Sequence, residues 1–140
     1  MRSPRDSFLH FLADNLPSLS IHPIRRDPDD PATGTLQVEA INVGFGRLDL
    51  GITVSSIFAK IDVISTSELT ATDMMQQVWL LLAAKFYTPL LDYTDPQNPV
   101  QMGTMLMWKR CRFVPVDNDA YFQFSCTLPL QFHNVLPPQS

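Results

Sequence analysis

Glycine and cysteine are scarce in this chain, charge is thin, and no stretch stays apolar for long. Five glycines stand against twelve prolines in 140 residues, where ordinary usage is about 7% glycine and about 5% proline. Stiff, extended connections follow. Two cysteines, Cys111 and Cys126, are too few for a disulfide framework and are not spaced as a metal knuckle. The longest unbroken apolar run, Val78 to Ala84, has seven residues, whereas a bilayer span needs roughly 20. No transmembrane span and no membrane partner is expected. The N-terminal MRSPRDSFLHFL carries an Asp and a His inside its apolar stretch and lacks a small-residue cleavage site, so it does not read as a secretory signal. The protein is expected to remain in the compartment where it is made. A net charge of -4 with 17% charged residues argues against nucleic-acid binding by bulk attraction, and 45% hydrophobic residues against disorder. At 15.8 kDa, residues 1–140 are read as one domain, with 134–140, which contains Pro137-Pro138, as an extended tail.

The signatures of catalysis are missing as well. His10, His22 and His133 have no second ligand at zinc spacing. Asp27, Asp29 and Asp30 are interrupted by prolines and lack a later bidentate Glu, so they read as a solvated acidic loop rather than a calcium site. Gly44-Phe45-Gly46 is too short to cradle phosphate. No serine sits in a nucleophile elbow, neither cysteine has an activating base, and Asp92 and Asp95 lie in a proline-flanked loop. No catalytic, cofactor-binding or metal-ligating residue is expected, and the chain reads as no enzyme.

What is present is a regular alternation of elements. Ser3-Pro4 is a helix start, Phe8, Leu9, Phe11, Leu12 and Leu16 fall on one helical face, and Pro17 ends the helix. Leu19 to Ile24 suggests a short strand, and Leu36, Val38 and Ala40 alternate as a second, with a turn over 42–46. From Leu48 the even positions to Val54 are apolar, then the odd positions from Ile57 to Val63. One long strand bent by a bulge at Ser55-Ser56 accounts for this switch; two strands with a tight break is the alternative. Thr70 and Asp73 have capping-box spacing before a second helix, expected over about 71–88 and ended by Pro89. Met75, Val78, Trp79, Leu82 and Phe86 form its stripe, yet Leu80, Leu81, Ala83 and Ala84 spread apolar surface almost all round. Such a helix must be covered on more than one side.

The last third reads as a long hairpin. Met105, Met107, Cys111 and Phe113 alternate along one strand, and Phe122 through Phe132 along the next. With Asn118-Asp119 as a two-residue turn, Phe113 faces Phe124, Cys111 faces Cys126 and Met107 faces Leu130, all on the apolar side. The fold class is therefore α/β (α+β), a mostly antiparallel or mixed sheet of about four to five strands with two helices, in the order α-β-β-β-α-β-β.

Trp108, Arg110 and Arg112 share the other face of the hairpin. They read either as a solvated outer face or as an ionic interface to an acidic surface of another subunit, such as Asp27, Asp29 and Asp30. Leu80 and Leu81 of the second helix join them as candidate interface residues. The segment Asp92 to Met102, with Pro96 and Pro99, is long for a simple connection and suggests an arm that touches a neighbour.

The succession SFLHFLADNLP, LDLGITVSSIFAKIDVIS, a helix after TATDMM and a closing AYFQFSCTLPLQF resembles the tail terminator, or tail completion, proteins of long-tailed bacteriophages, over residues 5 to 132. The resemblance rests on element order, length and hydrophobic texture. It implies a structural virion protein made in the host cytoplasm. Such a subunit forms a homo-oligomeric ring, a hexamer, that caps the tail tube, stops its growth and docks to the head connector or neck protein. DNA passes through the channel of such a ring without specific binding, and the family uses no cofactor. The proline-rich loop at 27–31 and the Asp92 to Met102 arm depart from the pattern. Another head-tail or baseplate adaptor, or a small ligand-binding domain or enzyme with its site between helix and sheet, are the competing readings.

Overall fold

The structure is a computed structural model and describes residues 3–24, 35–85, 87–107 and 112–133. Helix α1 (Ser3–Asn15) starts and ends where its proline signals place it. Phe8, Phe11 and Leu12, with Leu16 just beyond, are its buried side. The Phe8 ring lies 6.3 Å from Phe11 and meets Phe45 edge-on at 6.2 Å, an arrangement that adds quadrupolar attraction to area burial.

The strands are β1 (Ile21–Ile24), β2 (Ala40–Asp49), β3 (Val54–Ser65), β4 (Tyr87–Asp92), β5 (Val100–Met107), β6 (Val114–Val116) and β7 (Phe122–His133), with α2 (Glu68–Ala84) between β3 and β4. They form one mixed sheet in the order β1-β2-β3-β7-β5-β4, with β6 also on β7. Among the described residues β1 and β2 run parallel and the other strand pairs are antiparallel. The α+β class agrees with the sequence reading, and the described residues hold two helices and seven strands, more than the expected four to five.

Strand β3 is the axis of the sheet, since all of it, from Val54 opposite His133 to Ser65 opposite Phe122, pairs with β7. Ile57, Ala59, Ile61 and Val63 and, from β7, Cys126, Leu128, Leu130 and Phe132 form a buried floor. Both helices close over it in a single apolar cluster. Each large side chain buried there contributes roughly 1.5–3 kcal/mol.

Four expectations are corrected. First, β3 does not bend at Ser55-Ser56: both serines sit in an unbroken ladder opposite Phe132 and Gln131. The parity change comes instead from a chain reversal over 50–53 and from a bulge in β2, where Phe45 pairs with Ala59 but Leu48 with Ile57. That one extra residue lets Val43, Phe45 and Leu48 all serve the core. Second, of the strand expected at 36–40 Ala40 alone is strand, the first residue of β2, with a turn at 38–39 before it, and the turn expected at 42–46 lies within β2. Third, α2 begins at Glu68 with Ser67 as its cap, and it ends at Ala84 rather than 88. Thr88 and Pro89 then belong to β4, which lies at an edge of the sheet. There the missing N–H of proline breaks no ladder. Fourth, the terminal hairpin is interrupted. Met107 does face Leu130, but Pro115, not Phe113, faces Phe124. Six residues separate Met107 from Val114 in the chain, where four separate Ser125 from Leu130. The shift is by two, so the faces keep their sides. The β6–β7 turn is correspondingly longer than two residues, and the Asn118 Oδ1 accepts from the Ala120 N–H at 2.9 Å within it. Cys126 is buried on the core side, while Cys111 lies outside the described residues.

Candidate assembly surface

Helix α2 lies on the sheet through Ala71, Met74, Val78 and Leu82. These positions advance three or four residues at a time and so make one stripe. The stripe is rotated from the expected one: Trp79 points outward and Met75 is half-buried. Met75, Gln76, Trp79 and Leu80 fall on an adjoining face of the helix. Together with Arg112 and Phe113, which lead into β6, they line an open groove of about 530 Å³. Trp79 is 45% and Leu80 59% exposed. Contiguous exposed apolar surface of this kind marks interaction sites.

Of the residues singled out from sequence, Leu80 and Arg112 are brought together in this groove. Leu81 is not with them; it is half-buried against the core cluster. Trp108, Arg110, Asp27, Asp29 and Asp30 lie outside the described residues, as does the whole 27–31 loop. The arm expected over Asp92 to Met102 is the β4–β5 hairpin with its connection. Asp92 accepts from the Thr94 hydroxyl at 2.6 Å and N–H at 3.0 Å, which holds its carboxyl below the usual range. Asp95 accepts from the Gln97 N–H at 3.1 Å. Both carboxylates shape a turn.

Sequence reasoning missed two contributors. One is Trp79, which reads as a core residue because it fits the apolar stripe of α2 but is 45% exposed; Phe113, expected on the apolar face, does pack half-buried against the core cluster and also reaches the groove. The other is the β2–β3 tip, where Leu50 is 70% and Ile52 100% exposed. Their alternation with Leu48 and Val54 mimics a strand, and Gly51 between them was the available sign of a turn.

A second concavity, about 460 Å³, opens between α1 and β4 and is lined by His10, Asp14, Lys85, Tyr87 and Tyr93 among others. The His10 and Tyr93 rings stack with centroids 4.1 Å apart, and the Lys85 ammonium donates to the Asn15 Oδ1 at 3.3 Å. Burial, then the charges of Asp14 and Asp6, push the Tyr93 hydroxyl above its ordinary pKa. Among the described residues no group of three or more His, Cys, Asp or Glu could hold a metal ion, and no helix is long and apolar enough to cross a membrane. Compared with known proteins, the chain matches no family model, no curated protein and no solved structure.

Proposed function

We propose that this chain is a ring-forming structural subunit of the tail terminator kind, which caps a phage tail tube and joins it to the head connector. The observation that carries the reading is the groove: an exposed Trp79 with Met75 and Arg112 brings together the aromatic, methionine and guanidinium groups that are enriched at protein interfaces. A closed ring of identical subunits needs unlike complementary surfaces on each copy, and apolar side chains are exposed on both α2 and the β2–β3 tip. The sequence resemblance supplies the virion setting, the six-fold number and the partners: other copies of the chain, the tail-tube protein and the connector.

The test is mass measurement in solution together with particle imaging on purified tail tubes. A six-fold ring seated on the tube end is the expected result. A stable monomer that neither assembles nor caps the tube would overturn the reading. The concavity between α1 and β4 favours one rival, a small ligand-binding domain. For that rival, a metabolite bound by a persistent monomer, with His10 and Tyr93 perturbed, is the diagnostic outcome.

A further inference from the structure

We infer that the concavity between α1 and β4 binds a free amino acid as its zwitterion, with the ammonium group on Asp14, the carboxylate on Lys85 and an apolar side chain on the floor of the cleft. This site goes beyond the ring reading and does not depend on it. His10, Phe11, Asp14 and Asn15 lie three or four residues apart along α1 and so share one side of the helix. Pro89 and Leu91 alternate along β4 and close the opposite wall. The volume, about 460 Å³, falls within the roughly 300–1,000 Å³ usual for small-ligand sites. Phe11 is buried and Leu91 half-buried, so the floor is apolar. The stacked His10 and Tyr93 rings, with centroids 4.1 Å apart, bring aromatic surface to the rim.

Two opposite charges line this cleft without meeting. Among the described residues Asp14 forms no ion pair and no hydrogen bond. Lys85 donates to the Asn15 Oδ1 at 3.3 Å, which uses one of the three N–H groups of an ammonium. Asn15 is anchored in turn, since its Nδ2 donates to the Phe11 carbonyl at 2.9 Å. The Lys85 charge is thereby held at the C-terminal end of α1. The Asp14 charge is felt at Tyr93, whose hydroxyl is raised in pKa by burial and then by that carboxylate. An ammonium placed between them meets a carboxylate and an aromatic ring together. A ligand with a single charge would satisfy one pole and leave the other unmatched. The head group of an amino acid carries both charges on neighbouring atoms, whereas a peptide separates them to its two ends, so the match is to the free amino acid. Asp14 and Lys85 are both exposed, which sets the affinity low, with a Kd on the order of 1 mM.

Saturation-transfer NMR on the full chain tests this with three probes: L-phenylalanine, L-phenylalaninamide, which lacks the carboxylate, and N-acetyl-L-phenylalanine, which lacks the ammonium group. Phenylalanine is expected to bind saturably, and each of the other two at least about fivefold more weakly, as loss of one charge-assisted contact does. Two exposed substitutions assign the contacts, with circular dichroism to confirm the fold. In Lys85→Met, phenylalanine and its amide are expected to bind equally; in Asp14→Asn, phenylalanine and its N-acetyl derivative are. Absence of saturable phenylalanine binding at about 10 mM, an order of magnitude above the expected Kd, overturns the site. So does an amide or N-acetyl compound that binds the wild type as well as phenylalanine, or a preference that survives in both variants. The wild-type probe series decides the matter even where a substitution harms the fold. Mass photometry of the same samples keeps the two readings apart: rings that do not bind phenylalanine overturn this site alone, and a chain that binds it yet is monomeric both alone and on tail tubes overturns the ring alone.

Discussion

The carboxamide of Asn42, buried in β2, holds both polar groups of the Gln37 backbone: its Oδ1 accepts from the Gln37 N–H at 2.8 Å and its Nδ2 donates to the Gln37 carbonyl at 2.9 Å. The same Nδ2 lies 3.3 Å from the Asp62 carbonyl on β3. One side chain thus pins the approach turn to two strands. Replacing it by alanine leaves these backbone groups without the partner that Asn42 supplies, and the desolvation penalty of each is about 1–3 kcal/mol. Asn42→Ala is expected to destabilise the fold by about 2–4 kcal/mol in urea unfolding, with the m-value unchanged. Asn42→Asp should be worse, because it removes the amide donors and buries a charge. A midpoint shift within error for both variants would refute this role.

Glu39 sits in the left-handed region at φ 60, a conformation that non-glycine residues seldom adopt. Its carboxylate compensates by accepting from the Thr66 N–H and the Ser65 hydroxyl, each at 2.8 Å, and from the Thr66 hydroxyl at 2.9 Å. These bonds, the Thr66 N–H foremost, hold its pKa below the ordinary 4.5. A carboxyl depressed in the folded state stabilises the fold above its unfolded pKa, and that contribution disappears as pH falls from there through the folded value. Stability measured across this acid range should decline in the wild type and decline less in Glu39→Gln. Asp92, also depressed, leaves a residual slope in that variant. Identical pH profiles for wild type and Glu39→Gln would show that the clip contributes nothing.

Ser7 of α1 is buried and reaches across to β4. Its hydroxyl accepts from the Leu91 N–H at 2.7 Å and lies 3.3 Å from the Leu91 carbonyl, at the point where the β4–β5 register slips between Leu90 and Leu91. The irregular backbone there finds in Ser7 a partner that the ladder does not supply. Ser7→Ala should therefore cost about 1–3 kcal/mol, and amide exchange at Leu91 should accelerate more than at Leu128 in the sheet centre. Uniform acceleration at both would point to global destabilisation instead.

How much of this fold could be read in advance divides along physical lines. Helix α1, with Phe8, Leu12 and Leu16, and the facing of Met107 and Leu130 were legible because one apolar stripe meets one core. The end of α2 was not, because Lys85 to Thr88 carries no stop signal and only pairing, such as Thr88 opposite Met105, draws the chain into a strand. Asn42 was read as a turn residue, which its type favours; its burial in β2 follows from backbone groups at Gln37 that no local pattern announces. The break after Asp49 was hidden by Leu50 and Ile52, apolar residues exposed where solvent alone would favour polar ones. Departures of this kind between local pattern and fold concentrate where a surface serves another purpose. The groove is half legible: Leu80 and Arg112 stand out in the sequence as interface candidates, Phe113 packs against the core as its alternation implies while also edging the groove, and Trp79 fits the apolar stripe yet faces outward.

Arg112 separates an ionic contact from a solvated face. It is exposed, and an exposed charge is worth only about 0–1 kcal/mol to its own fold. Arg112→Glu should therefore leave the melting midpoint of the monomer nearly unchanged. If the guanidinium meets a carboxylate across the subunit boundary, wild-type assembly weakens as salt rises, because charges at a partly open rim are screened over about 10 Å at 0.1 M. The variant should assemble less well at low salt, where repulsion replaces attraction, and approach the wild type at high salt. Sedimentation across a salt series reads both effects. Wild-type and Arg112→Glu rings with equal stability at every salt concentration would assign Arg112 to solvent and leave Trp79 and Leu80 as the part of the groove that holds the partner.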